Sequence, residues 1–320
     1  MQQLLLDILP IAIFAIAVGT IASMVGIGGG IINTPLLIIV FLLDEQAAPA
    51  TALVAALFVA VASTISYARQ NPSPIVPKAG LFLAITTIPG SLVGVALREI
   101  IPNDYILRLI FGISLFPVAL KMLFAKRRGT SAEDMALFDF SDISHTRLAI
   151  SLLGGFVGGA AAGLLGIGGG AVVVPVLTIL MGMPIHGAVA TSMFTMIFTA
   201  SAGTVRNYVG GHINPFFAIA LGIGMIVGAQ IGPRIACDVD AVGLKRVFGL
   251  VLVFPLVKMM KLGQIWLDPT GQSIMIATIG DIIIWLFIVV PIGLFRFYQI
   301  RKAGEEFIKE DDEECEVPAE

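Results

Sequence analysis

Two short runs in this 320-residue chain have the residue types and spacing to hold an anion. Gly26-Ile27-Gly28-Gly29-Gly30 recurs 140 positions later as Gly166-Ile167-Gly168-Gly169-Gly170. Four glycines in five residues do not stay helical, and bare backbone lets a ligand approach the amides closely. Where such a run opens a helix, unpaired first-turn N–H groups and the positive dipole end favour negative charge without a buried cation. The expected contacts are Gly28, Gly29 and Gly30 in one copy and Gly168, Gly169 and Gly170 in the other. Asn33 and Thr34 follow the first run and are placed to bind an oxyanion. Val173 and Val174 stand in their place in the second, so one lopsided site is expected. Thr51, Thr191, Ser192 and Thr195 put hydroxyls inside apolar runs, where polar groups are costly and are suspects for function. Such hydroxyls also bond to their own helix. Arg206, near the end of an apolar run, offers a planar fork to an anion, or snorkels to the interface.

Other chemistries find no support. The dinucleotide fingerprint fails because Ile31 stands where its last glycine belongs, and no Gly-Lys-Ser/Thr follows either run. No His, Asp or Glu grouping at helical spacing lies within the apolar runs, so an embedded enzyme lacks its acids, bases and ligands. Cys237 and Cys315 lack metal-site spacing, and no basic footprint for nucleic acid is present. No catalytic residue, metal or cofactor is expected.

The elements that must position these residues follow from hydropathy. With 57% hydrophobic and only 13% charged residues, against about 25% charged in soluble domains, the chain is expected in a bilayer. Apolar runs of the roughly 18 residues or more needed to cross hydrocarbon recur along it. The first, from Ile8 to Val25, lacks the cationic flank and cleavage site of a signal peptide and reads as a retained span. Helices are expected at 8–25, 35–43, 50–68, 80–99 and 104–123, then at 147–165, 175–182, 187–208, 215–236 and 243–260. A final segment covers 274–297, where Asp281 reads as an N-cap, with a proton relay as the alternative. The segments at 35–43 and 175–182 span only about half the hydrocarbon at about 1.5 Å per residue. Each opens on a proline, Pro35 or Pro175, which suits a first helical turn, and Thr34 reads as an N-cap.

The glycine runs belong to a longer duplication. At the same offset Pro35 matches Pro175, Ala50-Thr51 matches Ala190-Thr191, and Phe58 matches Phe198; with a small drift, Phe116-Pro117 matches Phe254-Pro255. If each glycine hairpin returns the chain to its starting side, the units are inverted and 14 of the 19 cations fall on one side. Only Arg98, Arg108, Arg206, Lys258 and Lys261 fall opposite. Parallel units would split the cations 10 to 9. The positive-inside rule selects inversion, with the linker and tail cytoplasmic and the N-terminus outside.

The motif G-I-G-G-G-x-x-x-x-P-x-L, present as Gly26 to Leu37 and Gly166 to Leu177, resembles the TauE/SafE family of membrane proteins. The resemblance extends through Ala190-Thr191-Ser192 and Gly228-Ala229-Gln230-Ile231-Gly232 and covers about residues 10 to 260. It implies a multi-span permease for sulfite, organosulfonates and related sulfur oxyanions. The chain departs at Ala52, where the second copy has Ser192, in the proline-rich loop Asn71 to Pro77, and after about residue 270.

The expectation is an all-α integral membrane protein of two inverted five-segment repeats with glycine-broken short helices, plus a C-terminal extra helix. The first repeat occupies 1–123 and the second 147–260, joined by a cytoplasmic linker at 124–146. An extra membrane segment covers 261–298, and an acidic cytoplasmic tail 299–320. The expected function is a multi-pass permease of the cell (inner) membrane, moving small anions by alternating access at a midplane site. The alternative is an anion channel or a membrane scaffold without carrier activity. Its partners are the anion, the lipid bilayer and a coupling ion, with proton and sodium both open; no nucleic acid is expected, and the oligomer is left open.

Overall fold

The structure, a computed structural model, describes residues 2–101 and 143–235, with residues 279–287 and scattered single positions beyond them. Among these the protein is all-helical, with no β-strand. The first half contributes α1 (Gln2–Val25), the short α2 (Gly30–Ile39), α3 (Ala47–Ala68) and α4 (Pro77–Ile100). The second contributes α5 (His145–Leu165), the short α6 (Gly170–Pro175), α7 (Ile185–Val209) and α8 (Pro215–Ile235). A π-helical turn, Val176–Leu180, prolongs α6. The expected segments at 104–123 and 243–260, the linker and the tail lie almost wholly outside the described residues.

Helices α3, α4, α5, α7 and α8 are each long and apolar enough to cross a membrane. Their polarity is the reverse of a water-soluble bundle. Ile85, Leu153 and Ile219 are 67%, 70% and 58% exposed, whereas Thr51, Thr87, Ser91 and Thr191 are fully buried. A surface of large aliphatic groups around small and hydroxylated residues suits hydrocarbon, where helices associate through close packing and interhelical hydrogen bonds.

Glycine seams let the backbones approach. A methyl group on Gly159 of α5 would lie 2.1 Å from the Thr87 carbonyl oxygen, and one on Gly163 2.0 Å from that of Ser91. On α8, methyl groups at Gly224 and Gly228 would meet the carbonyls of Ala12 and Ile16 at 2.2 and 2.1 Å. These contacts also fix directions. Residue numbers climb together along α4 and α5 (87 beside 159, 91 beside 163) and along α1 and α8 (12 beside 224, 16 beside 228), so each pair is parallel. Hydrogen bonds from Thr195 to Gly80 and from Thr199 to Thr87 make α7 parallel to α4. Those joining Asn214 to Thr51 and Gln230 to Ala62 make α8 parallel to α3. Gly203 beside Leu53, with the Tyr67 and His186 rings 5.7 Å apart, makes α3 and α7 antiparallel. Helices α4, α5 and α7 therefore run opposite to α1, α3 and α8, so that α5, α7 and α8 each oppose their respective counterparts α1, α3 and α4.

The half-helices begin five residues earlier than their prolines suggest. Gly29 and Gly169 are the N-caps, at φ 75° and 85°, so Pro35 and Pro175 lie inside the helices. A left-handed glycine ends the preceding turn and starts a helix immediately, which a side-chain cap at Thr34 would have delayed. Thr34 is helical, and its hydroxyl donates to the Leu165 carbonyl at 3.1 Å. At ten residues, α2 is about 15 Å long, half the hydrocarbon.

The chain divides into two compact units, residues 1–255 and 256–320. In the second, Asp281 is buried and follows two helical residues, so it does not cap that helix: the regular backbone starts before the acidic residue.

Candidate functional site

The two glycine loops share one backbone conformation. Gly26, Gly28 and Gly29 have φ of 80°, 81° and 75°; Gly166, Gly168 and Gly169 have 70°, 77° and 85°. Three left-handed residues in five turn the chain back while leaving amides unpaired. Among the described residues no backbone carbonyl accepts from the N–H groups of Gly28 to Ile31 or of Gly168 to Ala171. Helical hydrogen bonding resumes only at Ile32 and Val172, which donate to Gly29 and Gly169. Each loop thus presents a short row of free donors at the start of a half-helix.

The loops meet. A methyl group on Gly30 would sit 2.0 Å from the Gly166 carbonyl oxygen, and one on Gly170 2.0 Å from that of Gly26. No side chain fits there, which is a stronger demand for glycine than turn geometry makes. Beside this junction lies a residue that the sequence did not single out, Met196 of α7. Its sulfur would be 2.5 Å from a methyl on Gly28 and 2.4 Å from one on Gly168, so one thioether fills the space in front of both loops. The matching position in the first half is Ala56, whose methyl faces Gly168. Met225 of α8 approaches Gly29 in the same way. Methionine in an apolar helix reads as core packing, and no local signal marks these two otherwise.

The expected polar contacts divide into two groups. Ser192 comes to the junction, donating to the Gly26 carbonyl at 3.1 Å and to Val189 within its own helix. Thr34 reaches the residue before the second loop. Asn33 is fully buried, with Nδ2 2.9 Å from the Met225 sulfur and Oδ1 without a partner. Thr195 donates to the carbonyls of Gly80 and Thr191. Thr51 and Thr191 instead hold the necks of the opposite half. Thr51 accepts from the Asn214 amide before α8, and Thr191 from the Val76 amide before α4, each at 3.0 Å. The two bonds match in length and join threonines 140 positions apart in the chain. Arg206 lies apart, nearly three turns beyond Met196, with its side chain 46% exposed and Nη2 2.6 Å from Glu99 Oε2.

No group of three or more metal-ligating side chains occurs among the described residues. The described groove of about 350 Å³ between α3, α7 and α8 is apolar, bordered by Val54, Phe58 and Ile219, and lies away from the loops.

Comparison with known proteins points the same way as the motif. The sequence model of the family described as Sulfite exporter TauE/SafE matches residues 11–259. A probable membrane transporter protein of Bacillus subtilis, YunE, is 28% identical over 262 residues, covering 76% of this chain and 93% of the relative. A probable membrane transporter protein of Xylella fastidiosa is 29% identical over 242 residues, covering 74% and 88%. Another, from Methanocaldococcus jannaschii, is 28% identical over 249 residues, covering 73% and 88%. No solved structure matches the chain.

Proposed function

The chain belongs to the sulfite exporter TauE/SafE family, and from that premise we propose that it carries small sulfur oxyanions between its two glycine loops. It is a multi-pass membrane transporter, not an enzyme. The observation that carries the anion reading is the pair of free amide rows, Gly28 to Ile31 and Gly168 to Ala171, brought together by backbone contact. Amide donors fixed in a water-poor interior are a site for an anion that keeps no counter-ion of its own.

The proposed carrier works by alternating access. The loops lie on short helices that return partway through the bundle, and their surroundings come from oppositely running halves. Rocking one half against the other would expose the junction first to one face and then to the other. Met196 fills the space before the amides, so its flexible side chain must swing aside for the anion to enter. Asn33, Thr34, Ser192 and Thr195 border the junction, while Thr51, Thr191 and Arg206 support it from farther away. The cation asymmetry supports placement in the cell (inner) membrane, with the linker and tail in the cytoplasm.

The test is uptake by proteoliposomes of the full chain. Sulfite, sulfate, an alkylsulfonate and acetate are each offered, with and without a proton or sodium gradient. Saturable uptake of the sulfur oxyanions above acetate is the expected result, and its response to the gradients names the coupling ion. Gly29→Leu and Gly169→Leu should abolish uptake while still inserting. Undiminished uptake in both would refute the site, and picoampere single-channel currents would make the protein a channel.

A further inference from the structure

We propose that Arg98, Asn207 and Ser91 form a second anion-binding station, buried in the α4–α7 seam between the glycine loops and one membrane face. Arg98 stands in the last turn of α4 and is fully buried. Its guanidinium donates to the Gly163 carbonyl at 3.2 Å and to Asn207 Oδ1. Among the described residues no carboxylate pairs with it. Glu99, the next residue, turns outward to Arg206 and His212, and Asp44 is exposed and accepts from the amides of Gln46 and Ala47. A buried cation without a counter-ion is among the costliest features a membrane interior can hold, and it marks an ion path by default.

Arg98 Nε, Asn207 Nδ2 and Ser91 Oγ are buried without hydrogen-bond partners; the two nitrogens can only donate, and the hydroxyl can donate as well as accept. Asn207 spends its carbonyl oxygen on Arg98, leaving its amide nitrogen free. Ser91 faces Gly203, one turn before Asn207, and its hydroxyl would lie 2.6 Å from a methyl placed on that glycine. Donors with a net positive charge call for an oxyanion, not for a cation or a neutral solute.

A structural role alone explains less. Arg98 ties α4 to α5 and α7 and lies at the negative end of the α4 dipole. Two carbonyl bonds would serve that purpose, yet Nε and the Asn207 amide would still be left bare. The seam leads inward as well. From Asn207, Gly203, Thr199 and Thr195 follow at one-turn spacing toward Met196, about 16 Å away along α7, and Thr199 meets Thr87 across the seam at 2.7 Å. The same positions in the other half are Tyr67, Ser63, Val59 and Ala55, where the two threonines are replaced by apolar residues and Asn207 by a tyrosine. This station rests on the reading that the cargo is an anion.

The deciding variant is Asn207→Asp, measured as sulfite uptake by proteoliposomes of the full chain. The new carboxylate gives Arg98 a permanent counter-ion with nearly unchanged shape, so a mere clamp would be strengthened. For an anion station the KM for sulfite should rise at least about tenfold, the ratio for one charge-assisted hydrogen bond. The thermal midpoint without anion should rise in the same sample. Arg98→Gln should raise KM equally; if it fails to fold, Asn207→Asp still decides. Wild-type KM and kcat in Asn207→Asp would overturn the station while leaving transport at the loops intact. A wild-type protein that moves none of the sulfur oxyanions would overturn both proposals.

Discussion

Three glycine-to-alanine variants separate the two demands that the loops make on glycine, conformation and proximity. Gly182 has φ 74° with nothing within 4 Å of an added methyl, so Gly182→Ala carries left-handed strain alone, about 1–2 kcal/mol. Gly168 has φ 77°, and its added methyl would also meet the Met196 sulfur at 2.4 Å. That neighbour is the end of a flexible chain and yields at about 0.5–1.5 kcal/mol of rotamer strain, so Gly168→Ala should cost about 1.5–3.5 kcal/mol in all. Gly30 is helical and carries no such strain, but its methyl would lie 2.0 Å from a carbonyl oxygen, where about 3.5 Å is comfortable. Neither partner is flexible, so Gly30→Ala must push the loops apart or prevent folding.

The assay is a thermal midpoint in detergent together with saturable sulfite uptake. Gly182→Ala should lower the midpoint and keep the wild-type KM. Gly168→Ala should lower the midpoint about twice as far and raise KM at least about tenfold, because a methyl covers the donor row and one hydrogen bond to an anion is worth that ratio. Gly30→Ala should yield little folded protein. Should Gly168→Ala match Gly182→Ala in both readouts, the loops would be mere turns and the amide site would be wrong.

Met196→Ala empties the space before both loops and should raise the maximal uptake rate while weakening discrimination between sulfite and acetate, at a stability cost of about 2–5 kcal/mol. Comparing initial rates for the two anions checks it. Glu99→Gln releases Arg206 from an exposed ion pair worth about 0–1 kcal/mol, and should leave uptake and the thermal midpoint nearly unchanged. Thr34→Val removes the hydroxyl bond to the Leu165 carbonyl and should lower stability by about 1 kcal/mol, read from the thermal midpoint.

Hydropathy and the 140-residue offset made the membrane helices and the doubled loop legible because both are carried by many residues at once. Half-helix starts were misplaced because proline is a strong local sign and glycine caps leave none: a left-handed φ is invisible until the backbone exists. Asn33 and Thr34 stand beside the first loop in the sequence, but their partners, a sulfur and a carbonyl from the second half, lie 192 and 131 residues away and are invisible in it. Arg98 was missed for a different reason. A cation three residues from the end of an apolar run reads as an interfacial anchor, and only packing distinguishes a snorkelling arginine from a buried one.

The lopsidedness expected from Asn33-Thr34 against Val173-Val174 takes on a second form in the structure. Both the α3–α8 and the α4–α7 seam pair parallel helices and carry a 3.0 Å bond to a threonine hydroxyl, at Thr51 and at Thr191. What differs is what lines them. The α4–α7 seam carries Thr87, Ser91, Thr199, Asn207 and Arg98, all buried. In the α3–α8 half, Tyr67 stands where Asn207 does, and its hydroxyl donates to the Ser23 carbonyl at 2.9 Å. If the two halves exchanged roles perfectly during transport, both seams would need the same lining. Under the proposed mechanism the routes to the two faces would therefore present different chemistry to an anion, one with a buried cation and hydroxyls and one with a tyrosine bolted to backbone. In the proposed carrier, the rocking motion would take its polarity from these unequal side chains.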